Sequence, residues 1–233
     1  PIYQGPFSLR SNHNCIFCGN CLKLCENDSP AINVRIPGHE LWAALKPERV
    51  STIFIPVILG TQLLRGLEYT SLARALEDAT HSYWAAYAII ILVATAASYY
   101  FLKFAGQLAF TELKDDSIEK AALFTNALIP LAFAFELGYQ IRPLLERLGH
   151  FFPILGRQFD INLNFLDFAL AVGSSKPWQM LSVVFGLLAS LIFLNILINN
   201  HEMPGEVKTR PLYVRRLPVY FLAGLYIAMF IVG

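Results

Sequence analysis

Apolar residues in this chain gather into five long runs, and polar residues concentrate in the stretch before the first run and in the gaps between runs. The runs are Val50 to Tyr69, Tyr83 to Phe110, Ala121 to Ile141, Trp178 to Ile198 and Leu217 to Gly233. A helix needs about 20 residues with few charges to cross a ~30 Å hydrocarbon core, so each run predicts a membrane-spanning helix. The first is the weakest, because it is short and Pro56 and Gly60 interrupt it. A re-entrant segment is the competing expectation there. The second has Trp and Tyr placed as interfacial anchors. Between the third and fourth runs, residues 145–176 mix Phe and Leu with single charges. That pattern predicts an amphipathic segment lying on the membrane surface, with a docking surface for another subunit as the alternative.

Composition agrees with the pattern. Of the 233 residues, 55% are hydrophobic and 15% charged, against about a quarter charged in a soluble domain. The mean hydropathy is +0.49. A net charge of +1 gives no reason to expect nucleic acid as a partner. Placement of the charge says more than its sum. With five crossings, 12 of the 18 lysines and arginines fall on the side of residues 1–49. The positive-inside rule then puts that side in the cytoplasm and the chain in the inner membrane, provided that the first run crosses.

All four cysteines lie in "CIFCGNCLKLC", as Cys15, Cys18, Cys21 and Cys25. Disulfide frameworks suit small secreted domains without a sufficient core, and structural zinc usually takes two C-x2-C pairs a dozen or more residues apart. The spacing C-x2-C-x2-C-x3-C is that of the bacterial ferredoxin run, whose thiolates hold a [4Fe-4S] cluster. Gly19 sits where a side chain would crowd such a cluster, and Ile16, Phe17 and Leu22 are available to shield it. In two-cluster ferredoxins the fourth cysteine ligates the other cube. Two readings therefore stand. Either all four cysteines close on one cube, or Cys25 serves a second cluster completed by a partner chain or by residues preceding Pro1. The expected fold is mainly α: an integral membrane bundle of about five spans, residues 50–233, behind a small ferredoxin-like iron–sulfur head, residues 1–49.

The cysteine run, the "SPAI" that follows it and the hydrophobic spans beyond resemble membrane-bound polyferredoxins of the NosR/NapH type. The likeness covers residues 9–40 by motif and the remainder by general character. Glu26 stands where the family has proline, and Asn27 and Asp28 delay the "PAI" tail. The resemblance implies cytoplasmic [4Fe-4S] motifs passing electrons between quinol, or another donor, and a redox partner.

Glu136 lies inside the third run. A carboxylate within a span is costly and suggests a proton relay or a quinone contact. The alternative is an interfacial carboxylate, snorkelling or paired with Arg142. Asn126, in the same run, is expected to hydrogen-bond to another helix. None of the five histidines falls within a run, so haem between spans is not expected. His13, two residues before Cys15, is expected to be a surface residue, with tuning of the cluster or service as an unusual ligand as the alternatives. The loop His201 to Arg216 is basic and suits anionic lipid or an acidic partner. No nucleotide-binding loop or nucleophile elbow occurs. The expected function is a membrane-bound electron-transfer subunit, operating between quinone and a larger redox complex. A membrane anchor with a structural metal centre, iron–sulfur or zinc, is the alternative.

Overall fold

The computed structural model describes residues 23, 51–67, 70–111, 117–166, 175–201 and 211–232. The four cysteines and, apart from Lys23, the whole of residues 1–49 lie outside the described residues. All described elements belong to the unit Lys46–Gly233. They are α-helices α1 (Ser51–Leu67), α2 (Ser71–Thr80), α3 (Tyr83–Ala109), α4 (Ser117–Gln158), α5 (Ser175–His201) and α6 (Leu212–Val232), with one 3-10 turn at Asn164–Leu166. No strand occurs among the described residues.

Helices α3, α4, α5 and α6 are long and apolar enough to cross a membrane, whereas α1 is apolar but shorter. The protein is a helical membrane protein on this ground. On α3 small residues predominate on the buried face and large apolar ones outside, whereas α4 buries Leu123, Phe124, Leu128, Leu131 and Phe135 among its alanines. The buried face of α3 carries Ala86, Ala94, Ser98, Ala105, Gly106 and Ala109 with two larger residues, Ile90 and Leu102, while Trp84, Leu92, Val93 and Phe104 stand exposed. Lipid tails are as apolar as leucine, so helices gain little from hiding large side chains from them. Small residues let the backbones approach closely.

Contacts fix the helix directions. Gln62 and Arg65 of α1 meet Ala132 and Glu136 of α4 in rising order, so α1 and α4 run parallel. Leu131 meets Ser190, and Gly138 lies against Ser182, so α4 and α5 are antiparallel. Phe135 stacks on Tyr226 and Gly138 lies near Phe230, which makes α6 parallel to α4. Thr111 meets Arg215, and Phe101 meets Phe221, so α3 opposes α6. The order α1, α3, α4, α5, α6 therefore alternates up and down, with the four membrane-length helices α3 to α6 antiparallel in turn and α1 antiparallel to α3. Neither Pro56 nor Gly60 breaks α1. Gly60 instead marks a close crossing, because a Cβ there would stand 2.9 Å from the Thr95 backbone nitrogen of α3.

The interval between α1 and α3 holds α2, an amphipathic helix that packs on α3, with Ala73 buried and Arg74, Glu77 and Asp78 exposed. The third run belongs to a helix of 42 residues, about 63 Å long, roughly twice a hydrocarbon core. Residues 145–158, the first part of the expected interfacial segment, continue this helix without a break. It closes on a turn in which Ile161 N–H donates to Gly156 O at 2.8 Å, with Asp160 left-handed at φ 56°.

Pro130 sits in the middle of α4. Proline has no N–H for the Asn126 carbonyl, and its ring crowds that group. The next donor, Leu131 N–H, is taken by Ser190 Oγ of α5 at 3.0 Å, with Ser190 fully buried. A neighbouring serine is one of the ways in which a membrane helix tolerates an internal proline. Ser182, Gly186 and Ser190 recur every four residues along α5 and form its contact stripe.

Candidate functional site

Glu136 is the one predicted site residue among the described positions, and polar side chains from three helices gather around it. Its partner is Arg65 on α1, not Arg142. Arg65 Nη1 donates to Oε1 at 2.8 Å and to Oε2 at 2.7 Å. One nitrogen spans both oxygens, so this is not the two-nitrogen fork that gives arginine its strongest carboxylate pairing. The guanidinium also lies 4.4 Å from the centre of the Tyr139 ring, a cation–π contact. Gln140, one turn on, donates to Glu136 Oε1 at 3.4 Å. Arg142 pairs instead with Glu146, one turn along α4, at 3.2 Å.

One turn deeper, Gln62 is 1% exposed and satisfied at both ends. Its Nε2 donates to the Ala132 carbonyl at 3.0 Å, and its Oε1 accepts from the Tyr226 hydroxyl at 2.5 Å. Tyr226 is itself fully buried and stacks on Phe135 at 4.1 Å between ring centres. The helix period explains the layout. Gln62 and Arg65 are three residues apart on one face of α1, and Ala132, Glu136 and Gln140 are four apart on the facing stripe of α4. The two tiers differ in character. The Gln62–Tyr226 tier is dry, whereas the ion-pair side chains remain 31% and 38% exposed at the edge of the bundle.

Arg65 has the same sequence signature as Glu136, a charge inside an apolar run. Two opposite charges within spans ask to be paired, and that signal was available. Gln62 and Tyr226 carry no such mark, since a glutamine near a helix end and a tyrosine in a span are commonplace.

Two basic residues of the His201–Arg216 loop turn inward. Arg215 is 1% exposed and donates to Thr111 Oγ1 at 3.2 Å, and Arg216 Nη2 donates to Asn195 Oδ1 at 2.9 Å. They brace α6 against α3 and α5. Among the described residues no three His, Cys, Asp or Glu side chains are grouped to hold a metal ion. An open apolar groove of about 490 Å³ runs between α4 and α5, lined by Phe133, Leu137 and Ile141 on one side and Trp178, Leu181 and Phe185 on the other. No protein-family model, curated protein or solved structure matches the chain.

Proposed function

We propose that this protein is a membrane-bound electron-transfer subunit, its N-terminal head carrying a [4Fe-4S] cluster and its helices holding that head at the cytoplasmic face of the inner membrane. The observation that carries the reading is the spacing of Cys15, Cys18, Cys21 and Cys25 directly ahead of a bundle of membrane-length helices. The donor set fits the group: four soft thiolates at ferredoxin intervals suit iron–sulfur chemistry and suit hard cations poorly. When bound, the cluster would supply one-electron exchange, while the chain contributes position, shielding and potential. The resemblance to membrane polyferredoxins makes quinone one redox partner and a larger complex the other. Glu136, held at the edge of the bundle, is placed in this scheme as a proton-accepting or quinone-contacting carboxylate.

The test is iron and acid-labile sulfide per chain on anaerobically purified protein, with EPR before and after dithionite. About four irons and a reduced-cluster signal are expected if the four cysteines close on one cube. About eight would mean that ligands from elsewhere complete a second cube through Cys25. Zinc, no metal, or a cluster that no physiological reductant reduces would replace this reading with a membrane anchor.

A further inference from the structure

The outer face of α4 carries a seam that the described residues leave largely exposed. Leu137, Ile141, Leu144, Leu148, Phe151 and Leu155 follow one another at intervals of four and three. That is the a/d repeat of a helix–helix seam. Leu137, Leu144, Leu148 and Phe151 are 51%, 57%, 37% and 54% exposed.

The seam crosses two environments. Gly138 marks the level at which α5 begins and α6 ends, because it lies against Gln179 and Phe230. From that level α4 runs on to Gln158, about 30 Å further. Lipid tails can cover the α4–α5 groove and the seam's first residues. They do not reach along a helix that leaves the bundle by that distance. A partner helix that follows the same repeat along Leu144, Leu148 and Phe151 also passes Leu137 in the membrane.

We infer that the seam is a dimer interface, and that its occupant is α4 of a second copy of this chain. Another α4, held at the same depth by the same bilayer, enters and leaves the membrane at matching residues. A closed two-fold pair is also self-complementary here. Each seam residue faces its own equivalent, and all six are uncharged. Arg142 and Glu146 lie on the opposite side of the helix, and the flanking Arg147 comes opposite the apolar Phe152 of the other copy instead of a second arginine.

The test places a photoreactive benzoylphenylalanine singly at Leu144, Leu148 or Phe151, in cells carrying two differently tagged full-length chains. The expected product from each seam position contains both tags, and none forms from Arg142 or Glu146. In lipid nanodiscs the native chain is expected at twice its 26.1 kDa mass, and the doubly substituted L144E/L148E chain at the single mass with its helicity retained. Cross-links to lipid or to another protein in place of the two-tag product, or a native chain of single mass, would overturn the inference.

Discussion

At the residue scale the sharpest feature is an arginine and a glutamate inside apolar helices. Taking both from water is expensive, and their attraction offsets that cost only with good geometry. Here one guanidinium nitrogen reaches both carboxylate oxygens, and Tyr139 supports the charge from the side. Removing one partner strands the other charge in a poorly solvated place. Glu136→Gln is therefore expected to lower the thermal midpoint in detergent, at a cost of about 2 kcal/mol, below the 3–5 of a fully buried pair because both side chains keep some exposure. The double variant R65M/E136M should recover most of that loss, since apolar pairs of similar volume commonly equal buried ion pairs. Quinol-driven reduction of the head separates structure from function. If Glu136 takes up protons, the rate stays low in the double variant although stability returns. A rate that recovers with stability would leave the carboxylate a purely structural role.

At the element scale the prolines and glycines carry the lesson. Read along the chain, Pro56 and Gly60 argue for a broken first span, yet α1 is continuous. Sequence rules give such residues their solution-helix meaning, whereas within a bundle Gly60 is a point of contact with α3. The long runs were legible because an apolar stretch of membrane length has few other uses. The end of α4 was not, since residues 142–158 alternate charge and apolar side chains on a helical period that suits a surface segment as well as an extension of the preceding helix. Glu136 could be found by its cost alone. Its partner required knowing that α1 and α4 run side by side, which no local pattern states. The α4–α5 contact makes its own prediction. Ser190→Ala removes the acceptor of Leu131 N–H and is expected to lower stability by about 1 kcal/mol in a denaturant titration. Ser190→Thr keeps the hydroxyl and serves as the comparison. Equal losses in both variants would show that packing, and not the hydrogen bond, is what α5 supplies at Pro130.

For the whole molecule, the alternation of five helix directions sets which segments share a side. The start of α1, the turn between α3 and α4 and the loop between α5 and α6 fall together, and α2 and the end of α4 fall on the opposite side. Reporter fusions after Phe110 and after His201 are expected to read as cytoplasmic, and fusions after Thr80 and after Gln158 as external. If a tag at the N-terminus read on the same side as the fusion after Thr80, α1 would not be a crossing and the cysteine head would belong on the other face. The serine that meets Pro130 also bears on how the protein is made. A nascent α4 released sideways into lipid before α5 has been synthesised would carry the turn at Pro130 there without the Ser190 hydroxyl that meets its Leu131 amide. Inserted together as a hairpin, the two helices bring that contact into the hydrocarbon already made. Chemistry at a single backbone nitrogen thus favours a particular order of events at the translocon, in which the fourth helix waits for the fifth.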